Sequence, residues 1–434
     1  MKKPIKGTLL NEGKTKRIWS VEGDPDGVII ENKDDITKND DASQTKVMAG
    51  KAELATSTTC AVFQLLRDAG IPVAFEGQVG PNEFSARRVT MLPLEIIWRR
   101  YAVGSFLKRH PELHVAEGEL PHRFHSAVFE LFLKTTGGIA IGRDGKECVR
   151  MPEKDGKPVV EDPFIKEPYA SVWNLAHPKK PEYLHISVAQ SKVLPGDVSV
   201  SDIEELLRRV GLVLEGAWAQ LGCRLIDFKI EMGVTPEGVL TVADVIDADS
   251  WRLRDANWNE MSKQLFRDGI DMDQIADKYA MVARLVERLR IPKQAIVLWR
   301  GSDSDKFPTI SSVPGVEAVS VTLSGHKSPQ ACLTKLEEIL TLFPEGAVIL
   351  ACIGMSNGLG PILSARTSWP VIGVAMTADQ HPEDVWSSLR MPSNVPMVTV
   401  LSPKNAMLAA LNILAQKNPA AYAYRQLAIE KLDA

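Results

Sequence analysis

Hydrophobic and polar positions follow two different patterns along this chain. From about residue 295 the apolar residues fall in short runs, Ala295–Trp299, Val316–Leu323, Ala347–Ile353, Pro370–Met376 and Met397–Leu401, bounded by Gly, Pro and Ser. Such runs read as strands. Between them Cys332, Leu333, Leu336, Ile339 and Leu340 share one helical face, as do Met407, Leu408, Leu411 and Leu414. Strands alternating with helices predict a parallel sheet covered on both faces, so residues 295–434 read as a doubly wound α/β domain.

The first 270 residues are less regular and read as α+β. Val47–Arg67 predicts a helix ended by Gly70, followed by an extended Ile71–Phe75. Ser201–Leu221 predicts a second helix, because Ile203, Leu206, Leu207 and Val210 align. Strand-like Leu225–Glu231 and Val239–Ile246 flank a Thr-Pro-Glu-Gly turn. Asp-Gly at 144–145 and 155–156 predicts a hairpin or a mobile insertion over Gly142–Pro163. Asp271–Leu289 is helical and charged and is stopped at Ile291-Pro292. The expected organisation is a domain over 1–270, a helical linker over 271–294 and a second domain over 295–434.

Composition narrows the function. The chain has 434 residues, 44% apolar and 24% charged, enough to build sizeable cores. Fifty-one basic and fifty-five acidic side chains leave a net charge of −4. That balance excludes a general nucleic-acid or membrane-surface binder, so phosphate binding must come from local clusters. No apolar core follows the basic N-terminus, and the longest apolar run is too short to span a bilayer. Five scattered cysteines without a Cys-x-x-Cys pair suit reduced thiols in the cytoplasm, and suit neither a disulfide framework nor a zinc site.

Three clusters in the first domain carry chemistry. Gly13-Lys14-Thr15-Lys16 resembles a P-loop ending, but Gly7 lies one residue too far upstream, which leaves a basic hairpin as the competing reading. Arg99-Arg100, Gly104-Ser105 and Lys108-Arg109 supply guanidinium groups, a close-approach backbone and a hydroxyl suited to a phosphate monoester. In a strand, Asp227, Lys229 and Glu231 alternate onto one face, and Asp244 falls on a neighbouring hairpin strand. Two carboxylates there suit Mg²⁺ shared with ATP phosphates. In the second domain, the loops Gly301–Asp305, Ser324–Pro329 and Gly354–Pro361 each follow a predicted strand, so they gather at the carboxyl edge of the sheet. His326 beside Lys327 there offers a proton shuttle next to a fixed positive charge.

Glu12–Lys16, Leu92–Arg109, Leu225–Gly233, Ala243–Arg252 and Lys263–Arg267 resemble, in this order, the signature segments of SAICAR synthetases. The resemblance covers most of residues 8–270 and little of 135–165. It implies an ATP-dependent ligase that joins aspartate to a carboxyaminoimidazole ribonucleotide. Gly13, Lys14, Thr15, Lys16 and Lys134 would hold ATP, Glu231 and Asp244 would bind Mg²⁺, Lys229 would act in catalysis, and Arg99, Gly104, Ser105, Arg252 and Arg267 would hold the nucleotide substrate. The three later loops, with Asp384–Arg390, resemble AIR carboxylase domains of the animal type. They imply a flavodoxin-like three-layer fold that uses CO₂ without ATP, biotin or metal and assembles into a homo-octamer. There Ser302, Ser304 and Asp305 would contact the ribose phosphate, His326 and Lys327 would serve proton transfer and CO₂ binding, and Ser356 and Asn357 would close the site.

The whole chain therefore resembles the bifunctional animal family of purine biosynthesis, acting on small molecules with no nucleic-acid or membrane partner. Departures from the pattern are Val103 and Lys38-Asn39 in the first domain, and Gly325, Met355 and a short, proline-containing Lys306–Val319 in the second. The last three support a rival expectation, a monofunctional ligase whose second domain is a degenerate oligomerisation scaffold.

Overall fold

The computed structural model describes residues 3–37, 45–180, 182–261, 272–309 and 311–432. The chain forms two compact units, Met1–Leu289 and Arg290–Ala434.

The first unit is built on two antiparallel sheets. Strands β1 (Lys6–Glu12), β2 (Lys16–Val21), β3 (Asp24–Asn32), β4 (Phe75–Gly80) and β5 (Glu83–Arg87) form a five-stranded sheet in the order β1-β2-β3-β5-β4. Gly13-Lys14-Thr15 is the turn between β1 and β2, where the Gly13 N–H donates to the Lys16 carbonyl at 2.9 Å. This is the hairpin reading of that motif. Helix α1 (Lys51–Asp68) packs on β3, β4 and β5. Its Phe63 sits 5.8 Å from the Phe75 ring and 6.5 Å from Phe84.

The second sheet has nine strands. Its path is β10 (Tyr183–Ala189), β9 (Val172–Ala176), β8 (Phe164–Ile165), β7 (Arg123–Leu133), β6 (Leu94–Tyr101), β11 (Arg224–Val234) and β12 (Leu240–Ala243). β13 (Trp251–Arg254) pairs with the first half of β11, and Thr90–Met91 with its last residues. Helix α2 (Ser105–Arg109) follows β6, and α3 (Val200–Gln220) packs on β6 and β11. Ser199 and Asp202 form a reciprocal capping box that satisfies the α3 N-terminus. The Gly142–Pro163 stretch is ordered as two consecutive hairpins, Ile139–Ile141 with Glu147–Arg150 and Glu153–Lys154 with Lys157–Pro158, turning at the two Asp-Gly pairs. Helix α4 (Met272–Val286) corrects the linker expectation. It packs on α1, with Tyr279 buried beside Met48 and Ala248, and so belongs to the first unit.

The second unit is a five-stranded parallel sheet: β14 (Gln294–Arg300), β15 (Val316–Thr322), β16 (Ala347–Ile353), β17 (Val371–Ala375) and β18 (Val398–Val400), in the order β15-β14-β16-β17-β18. This is the flavodoxin-like order. Ala295, Val297, Trp299, Ile349 and Ala351 pack with α5 (Pro329–Leu342) and α6 (Leu359–Ser364) through Cys332, Leu336, Ile339 and Leu363. Helix α7 (Pro403–Leu414) packs on β16 and β17, and on α8 (Pro419–Glu430).

The crossover from β14 to β15 has no helix among its described residues. Pro308 and Pro314 each lack the N–H that a helix interior needs. The segment instead forms an irregular strap with Pro308 and Val313 buried. Asn418 Nδ2 donates to the Pro314 carbonyl at 3.4 Å, and Tyr424 Oη lies 2.7 Å from Ser311 Oγ, which tie the strap to α8.

Strand alternation also separates two arginines that the sequence groups together. Arg99 and Arg100 are consecutive on β6, so they point to opposite faces. Arg100 is fully buried, and its Nε and Nη2 each donate to the Glu215 carboxylate of α3 at 2.8 Å. It is a structural residue, not a phosphate ligand. Arg100→Met removes the bidentate partner of Glu215 and leaves it only the half-exposed Arg123 guanidinium at 3.5 Å, and is expected to cost about 3 kcal/mol, the low end for breaking a buried pair. Urea unfolding followed by circular dichroism measures this, and an unchanged midpoint would contradict the assignment.

Candidate active sites

The first site is built by β11. Its register sets Asp227 opposite Arg99 of β6 on one side and opposite Arg252 of β13 on the other. Alternation then carries Asp227, Lys229 and Glu231 onto one face, and all three line a cavity of about 420 Å³. Glu231 is paired with Ala243, the last residue of β12, which brings Asp244 directly beyond the strand end into the same cavity.

Every charged group there has a partner. Arg252 Nη1 donates to Asp227 Oδ2 at 2.5 Å, and Arg99 also bonds Asp227. Arg99 Nε and Nη2 donate to Glu130 Oε2 at 3.0 and 2.9 Å. Lys229 Nζ donates to Glu95 Oε1 at 2.6 Å. Lys134 Nζ donates to both Glu231 oxygens at 2.6 and 2.7 Å, and Lys16 bonds Asp244. Burial works against the Lys229 ammonium, but Glu95 and Glu231 outweigh it and hold its pKa above the ordinary lysine value. Burial likewise opposes the Glu231 charge, and Lys134 and Lys229 overcome it to hold that pKa low. Lys16 differs. Desolvation brings it down to about 8, with Glu231 resisting and Lys134 and Lys229 adding to the fall.

Gly104 closes this site against Arg252. Its φ is +64°, a region that strains other residues, and a Cβ there would lie 2.8 Å from Arg252 Nη2. Ser105 follows at the first position of α2 and lines the cavity.

A second, largely apolar cavity of about 650 Å³ adjoins the first, lined by Ile18, Val28, Ile30, Phe75, Phe84 and Leu92 among others. Four residues line both cavities: Lys16, Lys134, Glu231 and Asp244.

The structure brings together Thr15, Lys16, Arg99, Ser105, Lys134, Lys229, Glu231, Asp244 and Arg252, while Gly13 and Lys14 form the hairpin turn beside them. Arg267 and Lys38-Asn39 lie outside the described residues. Sequence reasoning missed Lys33, Lys51, Glu95, Asp247 and Asp249 as lining residues. Glu95 was findable, because alternation on β6 places it on the Arg99 face. Lys51 carried no signal, since it opens a helix that looks like any other.

The second site lies at the carboxyl edge of the parallel sheet. After β14, the Ser302 N–H donates to Asp305 Oδ2 at 3.0 Å, and the Ser302 and Ser304 hydroxyls are 2.6 Å apart. Arg300 Nη1 donates to the Asp305 carbonyl at 2.8 Å and holds the turn without a following helix. The Asp305 carboxylate lies against Gly354 of the loop after β16. His326, exposed after β15, lies with its imidazole on Gly358, where a Cβ would come within 2.3 Å of Nε2. Gly325 has a steric reason: a Cβ there would lie 2.7 Å from the Leu359 Cα. Asn357 is buried, its Oδ1 accepting from the Gly360 N–H at 2.8 Å and its own N–H donating to Ser387 Oγ at 2.9 Å. It organises its loop, while Ser356, Lys327 and Met355 remain exposed.

The SAICAR synthetase family profile matches residues 9–139 and 183–284, and the AIR carboxylase profile matches residues 296–430. The unmatched 140–182 contains the two Asp-Gly hairpins. A Caenorhabditis elegans protein described as a probable multifunctional protein ADE2 is 33% identical over 427 residues, covering 94% of this chain and 90% of its own length. A Drosophila melanogaster bifunctional phosphoribosylaminoimidazole carboxylase/phosphoribosylaminoimidazole succinocarboxamide synthetase is 32% identical over 431 residues, covering 95% of this chain and 90% of its own. A Chloroflexus aurantiacus phosphoribosylaminoimidazole-succinocarboxamide synthase is 36% identical over 289 residues, 65% of this chain and 97% of its own. Both domains are present in one chain, which favours the two-activity reading over the scaffold alternative. The chain belongs to the family of bifunctional purine-biosynthesis enzymes that join a SAICAR synthetase domain, a ligase, to an AIR carboxylase domain, a lyase.

Proposed function

We propose that residues 1–289 ligate aspartate to carboxyaminoimidazole ribonucleotide with ATP, and that residues 290–434 make that ribonucleotide from aminoimidazole ribonucleotide and CO₂. The observation that carries the ligase reading is the junction of an apolar and a polar cavity at Lys16, Lys134, Glu231 and Asp244. The apolar cavity suits a purine base and the polar one a phosphorylated imidazole nucleotide. The γ-phosphate of ATP then falls between two lysines and two carboxylates, facing the second substrate.

Arg99, Arg252 and Ser105 hold the ribonucleotide phosphate, preset by Asp227. Lys229, kept charged by Glu95 and Glu231, faces the carboxylate of the base. That carboxylate attacks the γ-phosphorus, ADP leaves, and an acyl phosphate forms. The aspartate amine then attacks the acyl carbon; a C–N bond forms, phosphate leaves and one proton is released. Among the described residues no group of three or more His, Cys, Asp or Glu side chains is arranged to hold a metal. Glu231 and Asp244, both hard oxygen donors at the junction, fit Mg²⁺ held jointly with phosphates. Bound there, Mg²⁺ neutralises charge on the phosphoryl oxygens.

In the second unit Ser302, Ser304 and Asp305 face the ribose phosphate. His326 takes the proton that leaves the imidazole carbon as it bonds to CO₂, and Lys327 stabilises the new carboxylate. Exposed Met355, Trp386 and Leu389, from the loop after β16 and from residues 386–389, support contacts between copies in a homo-octamer. Trp386 is 63% exposed, costly for a face left in water. No described helix is long and apolar enough to cross a membrane, and the scattered free cysteines support a cytoplasmic setting.

Glu231→Ala is expected to lower ATP-dependent ligation by about 10²–10³ while leaving carboxylation unchanged. His326→Asn is expected to do the reverse, with a loss of about 10²–10⁴ in carboxylation. Separate assays of each half reaction decide this, and equal loss of both activities in either variant would contradict two independent sites. Lysine-labelled NMR should show Lys16 titrating near 8 in the unliganded protein. Between that value and the ordinary lysine range the folded protein binds fewer protons than the unfolded chain, so this group favours folding as pH rises. Phosphates of MgATP should move the midpoint upward, and a midpoint unmoved by MgATP would place ATP elsewhere. Mass photometry is expected to give eight times the 47.7 kDa chain mass; the single-chain mass would contradict the assembly.

A further inference from the structure

The ligase reading requires three substrates, and the charged residues of the polar cavity assigned so far serve two of them. Arg99, Arg252 and Ser105 form a cationic end suited to a phosphate. Lys16, Lys134, Glu231 and Asp244 form the junction with the apolar cavity. A third part holds Lys51 and Asp249, with Asp247 and Ser250 beside them.

Lys51 is the least expected of these. Its side chain is 3% exposed although it lines the cavity, and its Nζ lies 3.3 Å from Asp249 Oδ2. Charge-assisted bonds of this kind are usually about 2.7–2.9 Å, so the pair is loosely closed. An ammonium carries three donors, and such a group is expensive to bury unless it works. Desolvation opposes its charge, but Asp249 and Asp247 outweigh that and keep its pKa above the ordinary value. Asp249 is held from behind: the Tyr279 hydroxyl of α4 donates to its Oδ1, and Tyr279 is itself buried. The Asp247 Oδ1 in turn accepts the Asp249 N–H at 2.9 Å, which fixes the backbone of this corner.

The two phosphates already have their cations elsewhere in the cavity, and this corner sets one ammonium against two carboxylates with no guanidinium, a balance that does not favour a third phosphate. A site for an amino acid needs both signs close together, one for each end of a zwitterion. We propose that Lys51 and Asp249 bind the amino-acid acceptor, Lys51 taking one of its carboxylates and Asp249 its ammonium. The assignment rests on the ligase reading and adds to it the place of the third substrate. Tyr279 is then a positioning residue, acting only through Asp249.

The test uses the full-length protein with saturating MgATP and ribonucleotide. Lys51→Met and Asp249→Asn are each expected to raise KM for aspartate at least about tenfold, while KM for ATP and for the ribonucleotide stays within about twofold. Tyr279→Phe is expected to raise KM for aspartate about threefold with kcat unchanged, a split that a folding defect does not produce. Exchange of ¹⁸O between bridging and non-bridging positions of ATP, run with ribonucleotide but without aspartate, reports the first half reaction and shows that each variant is folded. Retained exchange with a raised aspartate KM supports the assignment. An unchanged aspartate KM, lost exchange, or a parallel rise in all three KM values overturns it. Wild-type protein that exchanges ¹⁸O but consumes no aspartate overturns the acceptor site alone; wild-type protein that does neither overturns the ligase reading beneath it.

Discussion

One buried carboxylate organises the first site. Asp227 is 4% exposed and lies in register between arginines from two neighbouring strands. Two guanidinium groups brought this close repel each other and lose much of their hydration. A carboxylate between them makes the pair tolerable and fixes both side chains, and Glu130 holds Arg99 from its other side. The result is a preorganised cationic end whose remaining donors can meet a phosphate without rearranging. Because the strand period is two, the same register that places Asp227 also places Lys229 and Glu231, so one alignment sets three functional groups.

The second unit meets a different constraint. Its crossover from β14 to β15 is interrupted by Pro308 and Pro314 and has no helix among its described residues, yet the loop after β14 keeps its shape. Local bonds do that work: Asp305 accepts from the Ser302 N–H, and Arg300 holds the Asp305 carbonyl. The site therefore depends on contacts between loops, Asp305 against Gly354 and His326 against Gly358, more than on the dipole of a helix. Gly325, a departure in the sequence, is required by the same close packing.

Much of this was legible in the sequence. Strand alternation exposed the Asp227-Lys229-Glu231 face, and the five apolar runs of the second unit match its five strands. What was not legible depended on tertiary placement. Adjacency made Arg99 and Arg100 look like one phosphate clamp, whereas the pleat sends Arg100 to Glu215. The helix at Met272–Val286 read as a linker because its charged pattern did not reveal that Tyr279 inserts beside α1. The apolar cavity was invisible, since its wall comes from the first sheet, the loop after β5 and the hairpin insertion, which lie far apart in the chain. A net charge of −4 also hid the site, because its arginines and lysines are balanced by acids packed beside them.

The central claim is that the two cavities of the first unit take two nucleotides that meet at Lys16, Lys134, Glu231 and Asp244. A crystal structure with a non-hydrolysable ATP analogue and carboxyaminoimidazole ribonucleotide tests it most directly. The account predicts the purine base in the apolar cavity near Phe75 and Phe84, the γ-phosphate at the shared residues, and the ribonucleotide phosphate on Arg99 and Arg252. A purine base in the polar cavity, or a γ-phosphate away from those four residues, would contradict it.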